Sequence, residues 1–512
     1  MLTLKSYLSG EFRAGTGKAQ TLVNPATEEV VAETSAEGLD LQAALDHARD
    51  AGGRALRALT LGERGAILAD MARRIHEHRD ELLDLAMENG GNTRSDAKFD
   101  VDGASGTLAH YAALAAQLGD ARYLVDGDTD QLGLSPRLAG RHVWVPRRGV
   151  ALLINAYNFP AWGFGEKAAC ALLAGMPVIC KPATSTAVVA ARLVEIVAEA
   201  APAGAVGLIA GSAHDLPGLL GYGDLIAFTG SSDTAQKLAS LPRVLSREVR
   251  LNVEADSLNA AVLGPGADDD TYGLFLKDVV KEITQKTGQK CTAIRRIFVP
   301  EAMQARVVED LVDRLREIVV GNPTTEGVRM GPLATAQQLR DVRAGLGALA
   351  EGAQVVLDGR EPSPKGTDGK GYFVGPTLLS SDDPGRAVVH DLEVFGPAAT
   401  VMPAPSDAEA LGALLARGRG GLVCSLYGDD RKWAAEMLAV AGAHHGRLVF
   451  GSKKIADKAF APGTVLPHLL HGGPGRAGGG EELGGLRGLA LYSQRVALQG
   501  ARPLLDAMLG KG

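Results

Sequence analysis

"VALLINAYNFPAWGFGEKAACALLAGMPVICKPATSTAVVAARLVEIVAEAA", residues 150–201, decides the fold class. Two short apolar runs, 150–154 and 177–180, alternate with two longer segments of helical length, 162–175 and 185–201. Short, continuously apolar strands separated by helices are buried on both faces, which means a parallel sheet joined by right-handed crossovers. The cycle repeats through "AVGLIAG" (205–211), "HDLPGLLGY" (214–222), "DLIAFTG" (224–230), "SDTAQKLASL" (232–241) and "EVRLNVEA" (248–255). The fold class is therefore α/β with a doubly wound sheet, whose ligands sit beyond the carboxyl ends of the strands.

Outward from this stretch, residues 21–34 hold strand-like pieces, and 39–59 and 63–91 show apolar residues at helical spacing. Residues 121–147 read as a protruding hairpin. A second α/β stretch follows, with a helix over 302–319 and strands within 353–359 and 371–379. Residues 471–485 form a glycine-dense loop and 489–500 a strand. A chain of 512 residues exceeds one ordinary core, so two or three domains are expected.

A net charge of -7 and the lack of a concentrated basic tract argue against nucleic acid as a partner. The first fifteen residues lack the apolar core of a signal peptide, and the run 168–180 is shorter than the ~20 residues of a membrane span. A cytoplasmic protein is expected. The four cysteines, at 170, 180, 291 and 424, have no CxxC spacing and read as reduced thiols. No metal site is expected: His76 and His78 diverge on a helix, and His468 and His471 have no cysteine or carboxylate beside them in sequence.

Each strand end carries a polar or glycine-bearing group. After 224–228 comes "TGSSDTA", with Gly230 in a turn and Ser231 or Ser232 opening a helix, where free N–H groups favour a phosphate. An ordinary strand-to-helix cap has the same pattern. Cys291 lies in "KTGQKCTAIRR" (286–296), and the cations Lys286, Lys290, Arg295 and Arg296 are of the kind that lower a thiol pKa. Equally, Cys291 could be the buried first residue of a strand. Glu254 is a candidate base for hydrolysing a covalent intermediate, or a helix cap. Asn158 is a candidate oxyanion donor, or a turn residue before Phe159 and Pro160.

In order, "NAYNFP", "KPAT", "FTGSSDTA", "VEADS", "GQKCTA", "GYFVGPTLL", "EVFGP" and "GGPGRAGGGEELGG" resemble the motif series of the aldehyde dehydrogenase superfamily across nearly the whole chain. The wording around Glu254, Cys291 and the glycine-rich tail is most similar to a branch that oxidises CoA-linked semialdehydes in aerobic aromatic-compound degradation. The resemblance implies a Rossmann-like cofactor domain over 1–122 and 148–256, a catalytic domain over 257–480, and an oligomerisation arm of 123–147 and 481–512. It implies that Cys291 attacks an aldehyde while Asn158 and the Cys291 N–H hold the oxyanion. Hydride then passes to a nicotinamide, and Glu254 activates water to release the acid.

The same resemblance places Asn155, Ala156, Tyr157, Lys181, Ala183, Thr184, Gly211, Phe228, Thr229, Gly230, Ser231, Ala255, Glu393 and Phe395 along the cofactor. Thr184 stands where many NAD-preferring relatives have glutamate, so NADP is expected ahead of NAD. Ala235 and Tyr157 also depart from the common pattern, as does Ala255-Asp256-Ser257, which replaces a Leu-Gly-Gly and should restrict the swing of Glu254. A CoA-acylating enzyme, a general aliphatic semialdehyde dehydrogenase and a silent dinucleotide-binding relative are the alternatives. A homodimer is expected, paired through extended sheet edges.

Overall fold

The computed structural model describes residues 1–509, so the last three residues of the expected arm, 510–512, lie outside the described residues. The apolar runs become the strands Ala151–Ile154, Val178–Lys181, Val206–Leu208, Leu225–Thr229 and Arg250–Glu254, all mutually parallel. Across the sheet they follow the order 250–254, 225–229, 151–154, 178–181, 206–208, and the N-terminal strands Ser6–Leu8 and Glu11–Arg13 complete seven.

Alternation along each strand sends Leu153, Cys180, Leu208 and Ala227 into one core, and Leu152, Ile179 and Ile226 into another on the opposite face. Helices Trp162–Ala174 and Ala187–Val197 cover the first of these faces. The first helix is buried along all 13 residues, which explains why it is apolar on every side. The segment 214–222, read as part of the helical alternation, is only the short 3₁₀ turn Leu216–Leu219, because Pro217 and Gly218 disfavour anything longer.

A second seven-stranded sheet runs in the order Gln354–Leu357, Thr377–Ser380, Ala398–Ala404, Ile294–Pro300, Asn259–Leu263, Gly421–Tyr427, His445–Gly451. Only its first pair is antiparallel. Its strands likewise divide between two cores, Ala261, Ile297 and Val401 against Val262, Phe298 and Met402. The strand ending at Glu254 passes through residues 255–258 directly into the strand starting at Asn259, which joins the two sheets.

The hairpin Leu124–Gln131 and Leu138–Pro146 pairs with the C-terminal strand Ser493–Ala501 in a third, antiparallel sheet. The glycine-dense tail is more ordered than a loop. Leu470–Gly472 and Glu481–Leu483 pair antiparallel, with His471 opposite Glu482. No described helix is long and apolar enough to cross a membrane.

Candidate active site

Register places the strand ends in one row. Ile154 lies beside Lys181 and Phe228, and Thr229 beside Glu254. Opposite this carboxyl edge stand the amino ends of the second sheet, where Asn259 pairs with Ile294 and Cys291 sits in the turn just ahead. Cys291 Sγ, a Glu254 carboxylate oxygen and a His471 ring nitrogen lie within 4.8 Å of one another.

The approach to Cys291 is bent by three consecutive residues in the left-handed region: Lys286 (φ 53°), Thr287 (φ 56°) and Gly288 (φ 68°). Such strain persists only where the surroundings over-determine it. Here the Thr287 hydroxyl donates to Gly331 O at 2.9 Å, and Asn158 Nδ2 donates to Gln289 O at 2.9 Å. Asn259 Nδ2 donates to both Cys291 O (2.7 Å) and Ala293 O (2.9 Å), fixing the turn that carries Cys291.

The expected cationic setting of Cys291 is not what the fold provides. Lys290 Nζ bonds Glu282 at 2.7 Å, and Arg295 donates to Gly396 O (2.6 Å) and Gly288 O (2.7 Å). Arg296 donates to Leu258 O at 3.0 Å, and Lys286 Nζ lies 4.4 Å over the Phe159 ring. With these cations turned to other partners, burial and the negative charge of Glu254 hold the Cys291 thiol well above its ordinary pKa. The resting group is a thiol, and it needs a base at hand.

The carboxylate in that cluster is Glu254. It is 3 % exposed, and its Oε2 lies 3.2 Å from His471 Nε2 while its Oε1 has no hydrogen-bond partner among the described residues. Burial alone would raise its pKa, but the charge and hydrogen bond of His471, with Lys167 behind, outweigh this and hold it at about 2. His471 is correspondingly raised against its burial by Glu254. Lys167 is itself bound to Glu166 at 2.7 Å and Glu482 at 3.2 Å.

Two cavities meet at these groups. A narrow one, about 490 Å³ measured to its open mouth, is lined by Phe99, Phe159, Trp162 and Val465 together with Cys291, Glu254 and His471. A larger groove of about 1680 Å³, measured to its open mouth, reaches the same Cys291 and Glu254 from the other side. Asn155, Ala156, Tyr157, Asn158, Lys181, Ala183, Phe228, Thr229, Gly230, Ser231, Ala255, Glu393 and Phe395 line it.

Thr184 and Gly211 do not. Thr184 opens the half-buried turn Thr184–Thr186, and Gly211 packs on the backbone of Ser35 and Ala36. Within the groove, Thr229 Oγ1, Asn155 Oδ1 and Glu393 Oε1 are buried without hydrogen-bond partners among the described residues. Burial raises Glu393 to about 7 although Arg295 opposes the shift. Unpaired polar atoms beyond the carboxyl ends of parallel strands, with a helix starting after Ser231, suit a polar dinucleotide.

The motifs did not single out Asn259, and His471 has its carboxylate and thiol neighbours only in the fold. Asp256 Oδ1 and Oδ2 accept from Ser232 N (3.1 Å) and Ser232 Oγ (2.6 Å), capping the helix next to the groove.

Residues 12–494 match the aldehyde dehydrogenase family. The chain is 42% identical over 482 residues to 3,4-dehydroadipyl-CoA semialdehyde dehydrogenase of Aromatoleum evansii, covering 92% of this chain and 93% of that one. It is 28% identical to the peroxisomal aminoaldehyde dehydrogenase 2 of Malus domestica, over 79% of this chain and 80% of that one. Among solved structures, lactaldehyde dehydrogenase from Escherichia coli superposes with a TM-score of 0.84 at 24% identity, covering 97% of this chain and 99% of that one. Betaine aldehyde dehydrogenase from Staphylococcus aureus, solved in complex with NAD+, superposes with a TM-score of 0.83 at 23% identity, covering 98% and 95%. The strand order, the paired cavities and these matches agree that the chain belongs to the aldehyde dehydrogenase family.

Proposed function

We propose that the protein is a cytoplasmic, NADP-dependent dehydrogenase that oxidises a CoA-linked semialdehyde of the 3,4-dehydroadipyl-CoA type to the carboxylic acid, in aerobic degradation of aromatic acids. The observation that carries the chemistry is the free Glu254 Oε1 in the cluster that holds the Cys291 thiol. The substrate class rests on the 42% identity to the Aromatoleum evansii enzyme. Four free cysteines suit a reducing compartment.

The aldehyde enters the narrow cavity, and its carbonyl carbon forms a C–S bond with Cys291 as the thiol proton passes to Glu254. Asn158, which spends one amide hydrogen on Gln289, has the second free for the oxyanion. Lys181, Thr229, Ser231, Glu393 and Phe395 line the groove and would hold a nicotinamide dinucleotide, which would supply the hydride acceptor. The thiol proton leaves Glu254 for solvent, and the freed carboxylate then takes a proton from water, whose oxygen attacks the Cys291 thioester and releases the acid. A carboxylate beside the sulfur favours this hydrolysis over transfer to CoA. NADP is favoured by the resemblance that sets Thr184 at the position where many NAD-preferring relatives carry glutamate, and by Lys181 Nζ in the groove, which among the described residues bonds only the Pro182 carbonyl, at 3.0 Å.

The test compares kcat/KM for the CoA-linked and free aliphatic semialdehydes, with NADP and with NAD, and identifies the product. The CoA-linked aldehyde and NADP should win, with free acid as product. A new thioester, or a clear preference for NAD, would overturn the corresponding part. The subunit is proposed to pair with a second copy through the sheet containing Leu124–Gln131, whose outer edge is unpaired among the described residues. Light scattering should give twice the 53.1 kDa chain mass.

A further inference from the structure

The oxidation assigns no task to His471, yet this ring is 4 % exposed, 3.2 Å from Glu254 and part of the cluster that includes the Cys291 sulfur. It belongs to the short strand Leu470–Gly472, which pairs with Glu481–Leu483 and sits next to the strand His445–Gly451. We propose that His471 is a positioning residue that sets the basicity of Glu254: protonated, it ties up the carboxylate, and neutral, it leaves Glu254 free to deprotonate water and hydrolyse the acyl-enzyme. The inference rests on the hydrolytic reading above.

The argument is one of charge and reach. A carboxylate whose proton affinity is suppressed by an adjacent imidazolium is a weak general base, because catalysis is best when the base titrates near the working pH. The groups facing His471 are Glu254 from the first sheet, Cys291 from its turn, Glu166 and Lys167 from the Trp162–Ala174 helix, Arg447 from the neighbouring strand and Glu482 across the hairpin. Of these, Lys167 is already neutralised by Glu166 and Glu482, and Arg447 donates to Thr464 O and Pro462 O. His471 is thus the titratable cation in direct contact with Glu254.

The proton balance is closed. Water's oxygen forms the new C–O bond as its proton moves to Glu254. The C–S bond then breaks, the acid leaves, and the thiolate recovers the proton from Glu254. Since His471 is raised by Glu254, its charge is present below its folded pKa and lost as pH rises through it, so deacylation should rise over that same window.

The experiment follows the burst of reduced cofactor and the slower steady rate against pH, in wild type and His471→Gln. Glutamine keeps a hydrogen-bond donor but cannot titrate. The expected result is a rising limb in the wild-type steady rate that disappears in the variant, which still shows a burst and turns over about tenfold faster at the acid end. An unchanged limb in the variant overturns the proposal. So does an equal slowing of burst and steady rate at every pH, which marks a structural role only.

Should His471→Gln fail to fold, histidine-selective NMR on the wild type and Glu254→Gln decides. His471 should titrate at lower pH without the carboxylate, and an unmoved titration overturns the idea. Absence of acid product in wild type would instead sink the hydrolytic reading, and this proposal with it.

Discussion

Replacing Glu254 by glutamine keeps the volume at the meeting point of the two cavities but removes the acceptor. Its Oε1 has no hydrogen-bond partner among the described residues. Since both the thiol proton and the water proton pass to this carboxylate, the hydride burst and the steady rate should both slow, turnover by about 10²–10⁴-fold. Stopped-flow measurement of reduced cofactor would show it, and an unchanged steady rate would refute the role. At this scale the sequence told which residues to examine but not how they are charged. Cys291, Glu254 and Asn158 were legible from their motifs. The cations around Cys291 misled, because side-chain direction depends on partners such as Glu282, Gly396 and Leu258 that lie elsewhere in the chain.

Among the elements, the glycine-rich tail carries the clearest consequence. Gly478 has φ 103°, and a Cβ there would stand 2.4 Å from Val253 O, the residue before Glu254. Gly480 N donates to the same carbonyl at 3.1 Å, so the tail lies directly on the strand that presents the base. Gly478→Ala should therefore cost about 1–3 kcal/mol of stability and lower deacylation more than the hydride burst. Thermal unfolding together with the burst-to-steady-state ratio would show it, and unchanged values would mean the backbone contact is dispensable. The first sheet was legible because its strands are apolar on both faces and consecutive in sequence. Much less of the second was, since Ile294–Pro300 lies between Ala398–Ala404 and Asn259–Leu263, and such distant pairings leave no local signal. The tail read as a loop because its strands are three residues each.

For the whole molecule, the decisive feature is the four-residue passage from the first sheet to the second, residues 255–258. Asp256 is tied to Ser232 on the first sheet's side. Ser257 is tied to the second, its Oγ bonding Asn259 Oδ1 at 2.7 Å and accepting from Leu422 N at 2.9 Å. Ser257 N also donates to Glu393 Oε2 at 3.2 Å, so the passage touches the groove from both ends. Restriction of this segment was expected from its side chains replacing glycines, and these bonds give that restriction a physical form. The bonds also place a carboxylate at the start of the Ser232–Ala239 helix, where N–H groups and the helix dipole would otherwise serve an anionic ligand. Asp256→Gly removes that competing charge and frees the Ser232 N–H. NADP should bind about three- to tenfold more tightly, a gain of roughly 1 kcal/mol, while loss of two charge-assisted hydrogen bonds lowers the melting temperature. Fluorescence titration of the cofactor against differential scanning calorimetry separates the two effects. Weaker binding with unchanged stability would mean that Asp256 helps to seat the dinucleotide instead of opposing it.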